Sequence, residues 1–241
     1  MIVLDESLVK FSFYANPHAS VEAWYNTCER EVVLMKITWI GHSCFKIEKD
    51  GFTVVFDPYE DGSVPGLISV REKANMVISS HGHGDHSAAE NVEIIYGGAC
   101  PFIITSVESF HDGERGALRG VNNITILDAG EVRLAHFGDQ GCMPDDEAIE
   151  ELMDIDVALI PVGGYYTVDG IEASEIVRKV KAKTIIPMHY RDEERGFGFD
   201  VISTVYDFVN AMGSADFTEK SVYDTAEEKS GAVVLVPTSA S

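Results

Sequence analysis

The chain carries four side chains of the kinds that bind metal ions within a six-residue stretch: His81, His83, Asp85 and His86. The apolar residues 76–78 precede this stretch and predict a buried strand that presents it on a surface loop. Side chains alternate in an extended segment, so the first two histidines would project to one side, while the last two ligands require a bend. Gly82 and Gly84 give the backbone the freedom for that bend. The stretch therefore predicts a metal site that could serve two ions, and its donors suit zinc, manganese or iron.

Three further candidate ligands each lie at or just past the end of a predicted strand: His111, Asp139 and His189. Glycine or proline flanks each of them, and strand ends are where distant segments of a chain converge to build one site. An isolated histidine is more often structural. Together with the dense motif, however, these three residues support a single metal centre.

Four other residues have metal-binding chemistry but weaker signals. His42 lies on a tight loop between two strands, and the sequence leaves open whether it faces the metal centre or caps a turn. His136 is three residues before Asp139, so in an extended segment it would point away and belong to a supporting position or the core. Cys142 is expected to be a small buried hydrophobe. His18 is expected to be a surface histidine.

Composition limits the classes of partner. Acidic residues outnumber basic ones 40 to 18, for a net charge of −22, which argues against a nucleic-acid substrate because phosphate would be repelled. Four scattered cysteines without a CxxC pair predict no disulfide framework. Asp5 and Glu6 stand where a signal peptide would be basic, and no apolar run has transmembrane length. We expect a cytoplasmic protein with a small-molecule substrate and no membrane partner; assembly into a homo-oligomer is left open.

The elements that must position these residues begin at Met35. Residues 1–34 are aromatic but lack a sustained period, and we expect them to be an N-terminal extension, or the product of an upstream start codon, before a domain at 35–241. The predicted strands are 37–40, 44–48, 53–56, 76–78, 92–95, 102–107, 124–127, 132–137, 157–162, 184–187 and 232–236. The predicted helices are 144–153, 171–180 and 201–212. Strands first, then alternating strands and helices, predict an α/β fold with two sheets or one strongly mixed sheet.

Two loops are expected to shape the site. Residues 59–72 are long enough to form its rim. Residues 112–123 contain three glycines and alternating charges, which predict a flexible stretch that covers it.

The motifs resemble those of the metallo-β-lactamase superfamily. The H-x-H-x-D-H stretch matches its signature, and His111, Asp139 and His189 match its third, fourth and fifth motifs in order. The longer stretches 37–45, 136–139, 161–167 and 186–190 are similar to a branch of metal-dependent hydrolases that includes the ascorbate-6-phosphate lactonase group. The resemblance extends from Met35 to about residue 236.

This resemblance implies a four-layer αββα sandwich with the metals at one edge, between two sheets. His81, His83 and His111 would hold one ion, and Asp139 would bridge it to the other. The second ion would be held by Asp85, His86 and His189. Two divalent ions, zinc before manganese or iron, are therefore the implied cofactor.

The implied reaction is hydrolysis of a small ester, lactone or phosphoester. Two neighbouring ions would share a water molecule, lower its pKa to about 7 and present a bridging hydroxide. Asp85 would orient that nucleophile, while Tyr165, Tyr166 or His42 would donate to an oxyanion or leaving group.

Three alternatives remain open from the sequence. A phosphodiesterase or nuclease is disfavoured by the acidity of the chain. A di-iron oxidoreductase is disfavoured because such relatives carry Glu where this chain has His83 and bring a flavin domain. A metal-binding sensor or interaction protein would keep the ligands without turnover.

Overall fold

Five strands form the first sheet of the structure, which is a computed structural model and describes residues 35–240. The predicted extension at 1–34, with His18, lies outside the described residues. The strands are β1 (Lys36–Gly41), β2 (Cys44–Lys49), β3 (Phe52–Phe56), β5 (Met76–Ile78) and β13 (Val222–Asp224), in the order β13-β1-β2-β3-β5. The predicted antiparallel meander β1 to β3 is confirmed, and β5 pairs parallel to β3.

Seven strands form the second sheet, in the order β12-β14-β11-β10-β9-β8-β7. They are β7 (Ile103–Phe110), β8 (Val121–Asp128), β9 (Arg133–His136), β10 (Val157–Pro161), β11 (Thr184–Met188), β12 (Ala215–Phe217) and β14 (Gly231–Val234). A separate pair is made by β4 (Glu72–Ala74) and β6 (Val92–Ile94). The strands β4, β12 and β13 escaped prediction because three residues are too few to show a period and, unlike the apolar run 76–78, each of these strands includes a charged residue.

Three α-helices follow in the second half: α1 (Asp146–Glu151), α2 (Gly170–Lys179) and α3 (Tyr206–Met212). Capping explains where the first two begin. The Asp145 carboxylate accepts from the Ala148 N–H, and Asp169 forms a capping box with Glu172. Both α2 and α3 pack on the seven-stranded sheet, against β10 and β14, and on each other. No helix among residues 35–240 has the length and apolar composition of a membrane span.

Two predicted elements need correction. The last helix starts at Tyr206 rather than at residue 201, because the backbone before it bonds elsewhere: Arg191 binds the Ile202 and Ser203 carbonyls, and the Ser203 N–H donates to Gly163. The strand at 76–78 is half-buried rather than buried, since β5 is an edge strand.

The core lies between the two sheets and forms one continuous cluster. Trp39, Phe45 and Phe56 contribute from the first sheet, and Ile124 and Leu134 from the second, all of them fully buried. The two-sheet α/β sandwich implied by the resemblance is confirmed. Burial of this apolar surface stabilises the packing of the two sheets and so fixes the positions of the strand ends.

Strand direction brings the candidate site to one edge. In the first sheet β1, β3 and β5 run the same way, because β1 and β3 are each antiparallel to β2 and β5 is parallel to β3. In the second sheet β7, β9, β10 and β11 share one direction by the same logic. The carboxyl ends of these strands carry the segments with metal-binding side chains.

Candidate metal centre

The Asp139 carboxylate lies at the middle of a group of imidazoles. Its Oδ2 is 3.1 Å from His111 Nε2, 3.2 Å from His86 Nε2, 3.4 Å from His189 Nε2 and 4.0 Å from His81 Nε2. Four strand ends, those of β5, β7, β9 and β11, supply these side chains. One carboxylate oxygen in reach of all four rings is the arrangement expected of a ligand that two cations share.

The donor atoms fall into groups that each could hold an ion. One group is His81, His83 and His111; a second is His42, Asp85, His86 and His189; a third, His81, His86 and Asp139, joins them. Within each group the donor atoms lie within 4.8 Å of one another. Tetrahedral ligands at about 2.1 Å from zinc are about 3.4 Å apart, so small side-chain movements suffice to close each group on an ion. All seven predicted ligands are thus brought together.

Several buried polar atoms of the candidate metal centre have no hydrogen-bond partner within residues 35–240, which indicates whether cations fit the site. His42 Nε2, His81 Nε2, His86 Nε2 and Asp139 Oδ1 are buried without a hydrogen-bond partner among the described residues. Buried polar atoms are nearly always paired, because leaving one unpaired costs about 1–3 kcal/mol. Cation coordination would satisfy all four at once, and neutral imidazoles with carboxylates form a donor set that divalent metals accept.

His42 faces the centre rather than only capping a turn, which decides the alternative that the sequence left open. Its Nε2 lies 3.5 Å from Asp85 Oδ2, and its ring centroid is 4.0 Å from that of His189. The backbone is held as well, because the His42 carbonyl accepts from Trp39 Nε1 at 3.0 Å and from the His189 N–H at 3.3 Å.

Backbone strain concentrates at three strand ends of the centre. His42, Asp57 and His189 have positive φ angles of 53°, 44° and 53°. Such angles are uncommon outside glycine and persist only where surrounding contacts impose them. Here they turn the chain sharply at the point where each strand delivers its polar side chain.

Asp57 supports the metal centre by contacting His86 on the side of the ring that faces away from it. It was missed as a functional residue because the sequence marked it only as the end of a strand. It is fully buried, and its Oδ2 is 2.9 Å from His86 Nδ1. It also accepts from the N–H and the Oγ of Ser80, both at 2.7 Å. A carboxylate at the end of an otherwise apolar strand, beside the strand that delivers the histidines, was the available signal. Asp57 orients His86 with Nε2 toward the centre.

Two glycines allow the Asp139 loop to approach its neighbours. Gly138 has a φ of 55°, and a Cβ there would overlap Ser80 and Asn122. A Cβ on Gly141 would overlap the backbone of His111. The Asp139 N–H also donates to Asn122 Oδ1 at 2.9 Å. The close approach places the Asp139 carboxylate between the two histidine segments.

Charge and burial set the protonation of the centre in opposite directions. Burial alone would raise the pKa of Asp139, but His189 and His86 together hold it well below its usual range. Burial likewise opposes charge on His86, yet Asp139 and Asp57 raise the pKa of that imidazole well above 6.5. Burial lowers the pKa of His42 and of His81 to about 4, so both rings are neutral at physiological pH.

His136 and Cys142 stay outside the ligand groups. His136 is buried between the sheets, where it stacks on Phe56 with ring centroids 4.6 Å apart and bonds to the Ser43 carbonyl at 2.8 Å. This confirms the expected place in the core. Cys142, expected to be buried, is instead half-buried, and its partial burial raises the pKa of its thiol, which opposes the thiolate form that binds metal.

A cavity of about 300 Å³ opens above the ligands. Its lining is His83, Asp85, His111, Arg119, Asp139, Tyr166 and Phe199. Tyr165, which the sequence offered as a proton donor, is 65% exposed and does not line this cavity; its ring packs edge-on against Tyr166. Its φ of 59° follows the tight Gly163-Gly164 turn. Of the two tyrosines, Tyr166 is therefore the one that lines the cavity.

The stretch 112–123, expected to be flexible, is instead organised by one carboxylate. Asp112 accepts from the backbone N–H groups of Glu114, Gly116, Leu118 and Arg119 at 2.7–3.0 Å. The last residues of the stretch already belong to β8. The loop at 59–72 meets the metal-binding segment, where the Glu60 N–H donates to the Gly84 carbonyl at 2.8 Å.

Comparison with known families gives a consistent assignment. The sequence profile described as "Beta-lactamase superfamily domain" matches residues 36–189, which include every candidate ligand. Two similar proteins are each named UPF0173 metal-dependent hydrolase. The one from Hyperthermus butylicus is 29% identical over 194 residues, or 64% of this chain and 82% of the relative. The one from Archaeoglobus fulgidus is 31% identical over 194 residues, or 65% and 83%.

A solved structure agrees with these matches. The crystal structure from Thermotoga maritima of a candidate Zn-dependent hydrolase of the metallo-β-lactamase superfamily has a TM-score of 0.65 and 30% identity to this chain. The similarity covers 83% of this chain and 98% of the Thermotoga chain.

Proposed function

This chain belongs to the β-lactamase superfamily, and from that premise we propose that it is a metal-dependent hydrolase that uses two cations to cleave a small, polar ester, lactone or phosphoester. The observation that carries the proposal is the position of Asp139 Oδ2, which lies within 4.0 Å of four imidazole nitrogens. The names of the relatives support hydrolysis, and the donor groups support the metal dependence.

Two sets of side chains would hold the ions. His81, His83 and His111 would hold the first. His42 would join Asp85, His86 and His189 at the second, and Asp139 would bridge the two. Zinc is the first candidate because the donors are mostly imidazole, while manganese and iron also accept this set. When bound, the ions would supply Lewis acidity and lower the pKa of coordinated water toward neutrality.

The protein's own groups would prepare the reactants. Burial alone would raise the pKa of the Asp85 carboxyl, but the neighbouring imidazoles of His42 and His86 hold it below the usual range, so Asp85 is ionised. It lines the cavity and is placed to accept a proton from the attacking water. Tyr166, which lines the same cavity, is placed to donate toward the leaving group.

The size of the cavity limits the substrate. About 300 Å³ is at the lower end of the range for small-molecule sites. The net charge of −22 opposes a polynucleotide, whose phosphates would meet a repulsive surface well beyond the cavity. A small molecule is therefore the substrate that the site supports.

Metal removal and restoration tests the proposal directly. Protein purified without added metal is analysed for its elements, stripped with a chelator, and reloaded with zinc, manganese or ferrous iron. Activity is measured on lactones, carboxylic esters, phosphomonoesters and phosphodiesters. We expect about two ions per chain, loss of hydrolysis on stripping, and recovery on reloading. Hydrolysis that persists in the stripped protein would refute metal-dependent chemistry.

A pair of variants tests the proposed role of Asp139: Asp139→Asn is the test variant, and Asp145→Asn is its matched control. Asp139→Asn retains the shape of the side chain but weakens its binding of cations. Asp145→Asn alters an acid that caps α1, away from the cavity lining. The first variant should lose activity and metal, while the second should keep both.

A further inference from the structure

A single arginine lines the candidate active-site cavity. Arg119 is the one Lys or Arg side chain among the seven lining residues, which otherwise comprise metal-binding groups and the aromatic rings of Tyr166 and Phe199. The chain has only 18 basic residues against 40 acidic ones. A cation at this position therefore contrasts with the charge of the protein around it.

The position of Arg119 is built into the fold. Its backbone N–H donates to Asp112 Oδ2 at 2.7 Å, and Asp112 itself is buried and directly follows the candidate ligand His111. The same carboxylate ties down three other N–H groups of the loop. Arg119 is consequently attached to the strand end that delivers a metal ligand, rather than to a loose loop.

The guanidinium is held by an aromatic ring and not by an acid. Arg119 Cζ lies 5.7 Å from the centre of the Tyr166 ring, within the range of a cation–π contact. Within the described part of the chain, the arginines that form ion pairs are Arg71, Arg133, Arg191 and Arg195. A guanidinium held on an aromatic ring keeps N–H groups at its edge for a planar or tetrahedral oxyanion.

We propose that Arg119 is the specificity-determining residue of the cavity and that the substrate carries an oxyanion, a carboxylate or a phosphate, in addition to the bond that is cleaved. Arg119 binds this group at the cavity wall while the metal ligands lie below. Tyr166 and Phe199 pack against the carbon skeleton between the two ends. The inference rests on the proposed hydrolase function and narrows its substrate class.

The test compares Arg119→Met with Arg115→Met, a control on the same loop whose side chain is exposed and does not line the cavity. Two esters of similar length are used, 4-nitrophenyl hydrogen succinate, which is anionic, and 4-nitrophenyl valerate, which is neutral. We expect Arg119→Met to lower kcat/KM about 10- to 100-fold for the anionic ester only, as for loss of a hydrogen bond to a charged group. Arg115→Met should match the wild type on both. Equal losses on both esters, or no loss on either, would overturn the proposal.

A binding measurement separates this inference from the proposed function. Succinate and inorganic phosphate are titrated calorimetrically into the metal-loaded wild type and into Arg119→Met, whose metal content is measured first. Weaker binding of succinate alone would indicate a carboxylate substrate, and weaker binding of phosphate alone a phosphate substrate. Unchanged binding of both would overturn the inference even if hydrolysis is confirmed. If the wild type hydrolyses neither ester but Arg119→Met binds succinate or phosphate more weakly, the two esters are not substrates and the anion site at Arg119 is still supported.

Discussion

Asp57 and His86 form a buried pair in which the Asp57 Oδ2 is 2.9 Å from His86 Nδ1, on the side of the imidazole opposite the candidate metal centre. The pair joins the end of β3 to the segment that follows β5. Such a carboxylate fixes the tautomer and the direction of a ligating histidine. It also carries two bonds from Ser80, so it connects the backbone of the metal-binding stretch to the first sheet.

Asp57→Asn tests this support. We expect metal affinity to fall about 10- to 100-fold, because removal of a carboxylate behind a ligating histidine typically has that effect. Asp61→Asn is the control, since Asp61 lies on the neighbouring loop and pairs with exposed Arg71. Competition with a chelator of known affinity measures the change. Equal affinities for the two variants would contradict a supporting role for Asp57.

His42→Gln tests the second donor group. Removal of one imidazole from the group His42, Asp85, His86 and His189 should lower the affinity for one of the two ions by roughly 100-fold or more. This loss should exceed the effect of changing a residue that only supports a ligand. The other ion, on the His81 group, should remain. Elemental analysis after dialysis should then give close to one ion per chain. Retention of the full metal content would place His42 outside the coordination sphere.

Metal binding should release a proton from His86. In the metal-free protein, burial opposes its charge, but Asp139 and Asp57 hold its pKa well above 6.5, so the ring is protonated at neutral pH. Because the folded-state pKa is raised, the stability that this proton contributes is complete below about pH 6.5 and is lost as the pH rises through the folded value. A ligating imidazole must be neutral, so metal affinity should increase with pH across the same range.

Calorimetry can measure that proton. Titration of metal at pH 7 in two buffers with different ionisation enthalpies should show release of about one proton from this site. Asp57→Asn should lower the number, since it removes one of the two carboxylates that favour the charged ring. Identical heats in both buffers would contradict a protonated His86.

Gly138→Ala tests the close approach beneath Asp139. Gly138 combines a positive φ with neighbours that a Cβ would overlap, so alanine should destabilise the protein by about 2–4 kcal/mol and weaken metal binding. Gly130→Ala is the matched control, because Gly130 has a φ of 87° but nothing within 4 Å of the position that an alanine Cβ would take. Denaturant unfolding of both metal-free variants separates backbone strain from steric overlap. Similar stabilities would show that the overlap has little effect.

Tyr166→Phe tests proton donation at the cavity. Loss of the hydroxyl should reduce kcat by about 100-fold if it acts as a general acid, the lower end of the usual range. Tyr165→Phe is the control and should keep wild-type turnover, since Tyr165 does not line the cavity. An unchanged kcat in Tyr166→Phe would contradict this role and would indicate that water protonates the leaving group.

The grouping of the candidate ligands was predictable because their signal is local. Each follows an apolar strand, and His81 to His86 crowd four donors into one turn. Asp57 and Arg119 depend on contacts that no local pattern encodes. Asp57 matters through its hydrogen bond to a residue 29 positions away, and Arg119 through a loop that closes on Asp112.

The edges of the fold were less predictable for a related reason. The strand β13 pairs with β1 across most of the chain, so its three residues gain their structure from a partner and not from their own pattern. Likewise, residues 202 and 203 resist helix formation because Arg191 and Gly163 take their backbone groups. Tertiary contacts decided both cases.

The separation between strand ends and loops has an evolutionary consequence. The candidate metal-binding side chains lie where strands of the sandwich end, whereas Arg119, Tyr166 and Phe199, on connecting segments, contribute part of the cavity wall. Insertions or replacements in those segments can alter which molecules are accepted without disturbing coordination. Descendants of this scaffold can therefore acquire new substrates while inheriting the same reactive core.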